Sequence, residues 1–236
     1  MSRMITLGYF RRRGLVGVRA TRTIASIWPV DVFPEIELCM IGPMEGVNGF
    51  VLAGGQSTRM GADKAFVELN GHTLLEQALQ TLSAVVSEVR IVGNREKFRA
   101  IRDVIEDELP DHGPLGGIHA ALRASHEDLN LILAVDMPFV EASFLEYLVD
   151  HARAGPAVVT IPRVAGRWQP LCAVYRREFA EVAEPALRAG KNKIDPLFGQ
   201  VPLQVIEEAE ITEHGFALEM FRNVNTPEEL SAARLG

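Results

Sequence analysis

VNGFVLAGGQSTRMGADK, residues 47–64, is the stretch from which the fold of this chain is read. Its apolar positions Val47, Phe50, Val51, Leu52 and Ala53 predict a buried strand. The strand breaks at Gly54-Gly55 and runs into a polar loop carrying Ser57, Thr58, Arg59, Gly61, Asp63 and Lys64. Apolar strand, glycine pair and basic loop, in that order, point to a phosphate cradle at the carboxyl end of a strand. Glycine lets the backbone come close to an anion, and successive N–H groups can form a nest for it. Arg59 and Lys64 add full charges, the arginine as a fork across two oxygens and the lysine as a mobile point charge. The stretch contains neither GxGxxG nor GxxxxGK followed by Ser or Thr, so the dinucleotide fingerprint and the P-loop are both excluded.

Beyond this stretch, strands and helices alternate. Leu74, Leu75, Ala78, Leu79, Leu82 and Val85 recur at helical spacing. Val89–Val92 predicts a strand, 98–102 a helix, and Val104-Ile105 a strand running into Glu106-Asp107. The run Gly113-Pro114-Leu115-Gly116-Gly117 reads as a turn before a small-residue helix through Ala124. Leu131–Val135 is an uninterrupted apolar run, as a central parallel strand covered on both faces requires. A helix over 141–154, strands at 157–161 and 171–175, a helix over 179–189 and a strand at 203–206 follow. The last helix begins with Thr226 as cap, Pro227 in the first turn and Glu229 completing a capping box. Such alternation predicts an α/β fold: one Rossmann-like, open, mostly parallel sheet with helices on both faces. Ligands bind beyond the carboxyl ends of the strands of such sheets. Gly54, Asp107 and Asp136 all fall at predicted strand ends.

At 236 residues, 47% hydrophobic and 23% charged, the chain has the composition of an ordinary globular domain. No apolar run reaches the length of a membrane span. Cys39 and Cys172 form neither a disulfide framework nor a metal-ligand pattern, which fits a cytoplasmic protein. The six histidines show no metal-ligand spacing. Residues 1–43 hold six arginines against three acids, so with −7 overall the remainder carries −10. That acidic body disfavours nucleic acid as a partner, because binding phosphate backbones needs a basic surface. Residues 1–43 are expected to be a disordered or mis-called extension, with the working domain spanning 44–236.

Asp136 closes the most hydrophobic strand, where an unpaired buried acid would be costly. It can cap a turn, or it can supply one carboxylate to Mg²⁺ with water and phosphate oxygens completing the shell.

Residues 47–64 resemble the LAGGxSxRMGxDK signature of the nucleotidyltransferases, in wording closest to the molybdenum cofactor guanylyltransferases of the MobA type. The resemblance runs from Val47 to about Leu235. It implies the nucleotide-diphospho-sugar transferase type of fold and a reaction in which GTP, with Mg²⁺, gives GMP to molybdopterin and releases pyrophosphate. It places Leu52, Ala53, Gly54, Gly55, Lys64, Asp107 and Asp136 at GTP, with Asp136 also the metal ligand. Arg59, Lys64 and Asp136 become the catalytic residues. Asp107 can accept from the N1–H and the exocyclic amine of guanine, a pairing that adenine does not offer. The run 113–117 is similar to the GPLxG of the guanosine-specific branch. Gln169, Asn223 and Asn225 fall on the pterin side, although asparagines before a helix also serve as caps. Val92 stands where some members carry a nucleotide-contacting asparagine. The resemblance also implies transient contact with molybdoenzymes or their chaperones. CTP, another nucleotide or a different phosphate acceptor is the alternative within the same chemistry.

Overall fold

Residues 43–54, 63–98, 104–106, 112–226 and 229–230 are described by a computed structural model, together with the backbone of 9–12 and 15–18. The chain divides into two units, Met1–Met40 and Ile41–Gly236. In the first, β1 (Tyr9–Arg12) pairs antiparallel with β2 (Leu15–Val18), a hairpin that arginine-rich composition does not announce.

The second unit starts with β3 (Met44–Leu52), then β4 (Glu68–Leu69), β5 (His72–Thr73), α1 (Leu74–Ser83), β6 (Val86–Val92) and β7 (Val104–Ile105). It continues with α2 (Gly113–Ala124), β8 (Leu129–Ala134), α3 (Ala142–Ala154), β9 (Val159–Val164) and β10 (Arg167–Trp168). The chain then forms β11 (Cys172–Arg176), α4 (Phe179–Arg188), β12 (Leu203–Glu207) and α5 (Glu208–Glu213). β3 starts earlier than its apolar run because Gly46, at φ 71°, sits where the register on β6 shifts between Met44 and Asn48.

The main sheet has the order β10-β9-β11-β8-β3-β6-β7, with β12 also paired to β9. β8, β3, β6 and β7 are parallel, the arrangement expected from the sequence. β11 runs antiparallel between β8 and β9, and β10 antiparallel to β9, so this half of the sheet is mixed. The link 165–171 is too short for a parallel crossover, which needs a dozen or more residues.

Side chains alternate across the sheet. On β3 and β8, Val47, Val51, Leu131 and Leu133 join one core with α1 and α3. Phe50, Leu52 and Ile132 join the other with α2 and α4. All six residues of β8 are buried, each large apolar one contributing roughly 1.5–3 kcal/mol. One predicted turn is corrected: 113–117 is the first part of α2 itself, with Pro114 in its first turn. Gly117 faces Leu52 and Val92, and a Cβ built there would meet the Leu52 side chain at an ordinary contact distance of 3.5 Å. The short strand β10 and the acidic helix α5 carry no apolar period and are not foreseen. Of the helix expected over 98–102, only Phe98 lies among the described residues, in a turn.

Candidate active site

The parallel register sets Leu52 beside Ala134 and Val92. The Val135 amide donates to the Leu52 carbonyl at 3.1 Å and the Ala53 amide to the Val92 carbonyl at 2.9 Å. Leu52 and Ala53 are therefore buried where β3 ends, exposed Gly54 follows, and Asp136 leaves β8 at the same edge.

Lys64 returns to this edge on a 3₁₀ turn, Lys64–Phe66. Asp63 Oδ1 caps the turn by accepting from the Ala65 amide at 3.1 Å, and the Ala65 side chain is fully buried. Asp63 is also paired with Lys97, whose ammonium lies 4.7 Å from the Phe98 ring centroid. Phe98 in turn packs against Phe66 at 5.7 Å. The turn is thereby tied to the segment that follows β6.

Lys64 Nζ donates to Asp136 Oδ2 at 3.2 Å and also to Asn225 Oδ1. The Lys64 and Asp136 side chains are 20% and 18% exposed, so the pair is only partly screened by water. Asp136 Oδ1 is buried and has no hydrogen-bond partner among the described residues. A buried carboxylate oxygen without a partner is costly, and a cation or donor brought to it relieves that cost. The described residues hold no cluster of three acidic, histidine or cysteine side chains suited to a metal. The donor set thus fits a cation that takes one carboxylate from the protein and draws the rest of its shell from water and ligand oxygens.

The carboxyl-terminal segment closes the site. The Val224 amide donates to the Asp136 carbonyl at 2.9 Å, and the Val224 side chain is fully buried. This contact brings Asn225 to Lys64. Gln169 lies in the turn before β11, its carbonyl accepting from the Cys172 amide at 3.0 Å, and the Ala134 amide donates to the Leu171 carbonyl at 2.8 Å. Gln169 therefore belongs to the same edge as Asp136. Asn223 is exposed, two residues before Asn225. Gly55, Arg59 and Asp107 lie outside the described residues. On the far side of β3, the start of α2 approaches Leu52 and buried Val92 through Gly117. Sequence reasoning did not foresee that Asn225 would partner Lys64. Its position just before the Thr226 cap was the available signal.

The MobA-like NTP transferase domain matches residues 49–202. The chain belongs to this family. A protein of Natronomonas pharaonis named a probable molybdenum cofactor guanylyltransferase is 37% identical over 197 residues, covering 79% of this chain and 96% of that one. One of the same name from Carboxydothermus hydrogenoformans is 32% identical over 185 residues, covering 78% and 93%. Among solved structures, molybdopterin-guanine dinucleotide biosynthesis protein A from Archaeoglobus fulgidus superimposes with a TM-score of 0.71 at 28% identity, covering 80% of this chain and 97% of that one. The MobA-like match includes Gly54, Lys64 and Asp136 and stops before Asn225.

Proposed function

We propose that this MobA-like chain transfers GMP from Mg-GTP to molybdopterin, giving molybdopterin guanine dinucleotide and pyrophosphate. The supporting observation is the meeting of Lys64 and Asp136 at 3.2 Å, beside a glycine break at the end of β3, in a chain whose relatives carry the guanylyltransferase name. In this reading Gly54 and Gly55 bring the backbone against the triphosphate, and Lys64 with Arg59 takes the charge that builds on the α-phosphate and the departing pyrophosphate. Asp136 holds magnesium, which when bound neutralises phosphate charge. Leu52, Ala53, Asp107 and the start of α2 face the guanosine, while Gln169, Asn223 and Asn225 face the pterin.

A terminal phosphate oxygen of the acceptor bonds to the α-phosphorus as the α–β bridge breaks. That oxygen is already anionic, so no residue has to take a proton from it. Catalysis then reduces to positioning and charge neutralisation.

We assign the activity to residues 44–236 and to the cytoplasm, with the product passing transiently to molybdoenzymes or their chaperones. Among the described residues no helix is long and apolar enough to cross a membrane. Incubating purified protein with molybdopterin and each of GTP, CTP and UTP tests the assignment. Pyrophosphate release and dinucleotide formation with GTP are expected. Preference for CTP would move the enzyme to the cytidylyl branch, and no turnover with any nucleotide would overturn the proposal.

A further inference from the structure

We infer that Glu229 is a positioning residue for this reaction: its carboxylate fixes Asn225 and, through Asn225, the ammonium of Lys64. The inference rests on the role proposed above for Lys64. Glu229 Oε2 accepts from the Asn225 amide at 2.6 Å and from the Thr226 amide at 3.1 Å, while the Glu229 amide donates to Thr226 Oγ1 at 3.2 Å. The Thr226 and Glu229 contacts alone make a capping box, which needs nothing from the residue before the cap. The shorter bond goes to that preceding residue, Asn225. It is a charge-assisted bond, roughly twice as strong as a neutral one.

On the other side of Asn225, the Val224 amide is held by the Asp136 carbonyl at 2.9 Å. Asn225 is thus gripped one residue before and at its own amide, and its Oδ1 is presented to Lys64 Nζ. Among the described residues, the other partner of Lys64 Nζ is the charged Asp136 Oδ2. Without Glu229 the Asn225 backbone loses one of the two anchors given by the described residues, Asn225 Oδ1 no longer holds Lys64 Nζ in place, and the ammonium moves more freely about Asp136. Glu229 itself is exposed, so truncating it strips nothing from the core.

The test compares the full-length protein with Glu229→Ala, Asn225→Ala, the double variant and Glu229→Gln, which keeps one acceptor oxygen. Competitive acetylation of Lys64, read by mass spectrometry, should rise several-fold in Glu229→Ala and by a similar factor in Asn225→Ala. The double variant should rise no further, and Glu229→Gln should return most of the way to the parent rate. For dinucleotide formation, kcat/KM should fall about tenfold in Glu229→Ala, within what a misplacement of an ångström can cost. The same change made in the Asn225→Ala background should cost less than twofold. Lys64 labelling at the parent rate in Glu229→Ala, or a full additional loss in the double variant, overturns the inference while parent turnover leaves the guanylyltransferase reading standing. A parent without turnover whose Lys64 labelling still follows Glu229 would sink that reading and keep the tether.

Discussion

Strand β8 has an acid at each end, and each acid meets a cation. Asp128, just before Leu129, is paired with Arg176, and Asp136, two residues beyond Ala134, is paired with Lys64. At the first end the arginine is held mainly by backbone carbonyls. Its Nε donates to the Ala157 carbonyl at 2.9 Å, and its Nη2 to the carbonyls of Ala152 at 3.2 Å and Gly155 at 2.8 Å. The carboxylate there is largely exposed, at 60%. At the second end, among the described residues, the cation bonds only to side chains and the acid keeps a buried oxygen with no partner. Arg176 ties β11 to the end of α3 and to the segment before β9, with most of its N–H groups taken by backbone carbonyls and Asp128. The Lys64–Asp136 pair is open to a ligand. An ion pair is thus read by what else its atoms touch.

The largest effect should separate the two ends completely. Asp136→Asn keeps the shape and removes the charge, and turnover with GTP should drop by roughly 10²–10³-fold, the range for losing one preorganised electrostatic contact. Thermal unfolding should barely move, because Lys64 keeps Asn225. Near-normal turnover in this variant would reduce the second end to another structural bridge. Lys64→Ala should cost about 3 kcal/mol of transition-state stabilisation, seen as a fall in kcat/KM. An unchanged rate would refute its role.

Changes at the first end should act on stability instead. Arg176→Met removes the donors of three backbone carbonyls and should lower unfolding free energy by about 2–3 kcal/mol in denaturant titration. Activity per folded molecule should remain. Asp128→Ala should cost less than about 1 kcal/mol, since an exposed carboxylate contributes little. Equal losses from the two would place the value of this end in its charge pair rather than in the carbonyl contacts.

The two ends also differ in how far the sequence reveals them. β3, its glycine break and the acid after β8 are local features: an apolar run of strand length, a residue that interrupts it, and a carboxylate where burial would otherwise be costly. All are readable from a few neighbouring residues. The meeting of Lys64 with Asp136 spans 72 positions and with Asn225 161, so it depends on strand register and on the docking of the carboxyl-terminal segment. The family resemblance named these residues without supplying their contacts. Arg176 left no signal, because its role comes from β11 running antiparallel between β8 and β9, and an apolar strand reads the same in either direction. The start of α2 was misread for a physical reason: a Gly-Pro-Leu-Gly-Gly run has the composition of a turn, yet proline is equally suited to the first turn of a helix, which is where Pro114 sits.

The smallest effect concerns a third carboxylate, away from both ends of β8, which holds α5 to α3. Tyr147 Oη donates to Glu210 Oε1 at 2.6 Å, and His151 Nε2 lies 3.3 Å from the same oxygen. Burial, and then the hydrogen bond to Glu210, push the phenol well above its ordinary value. The folded protein therefore holds this proton more tightly than the unfolded chain does. Its contribution is fully present below the unfolded value of roughly 10 and declines as pH rises through the folded one. Tyr147→Phe should cost about 1 kcal/mol at neutral pH, the worth of one such bond, and should flatten the fall in stability above pH roughly 10. Guanylyl transfer should be unaffected in the neutral range. If the substitution left the alkaline slope unchanged, the α3–α5 contact would be held by its aromatic packing with Phe144 and Phe216 rather than by the shared proton.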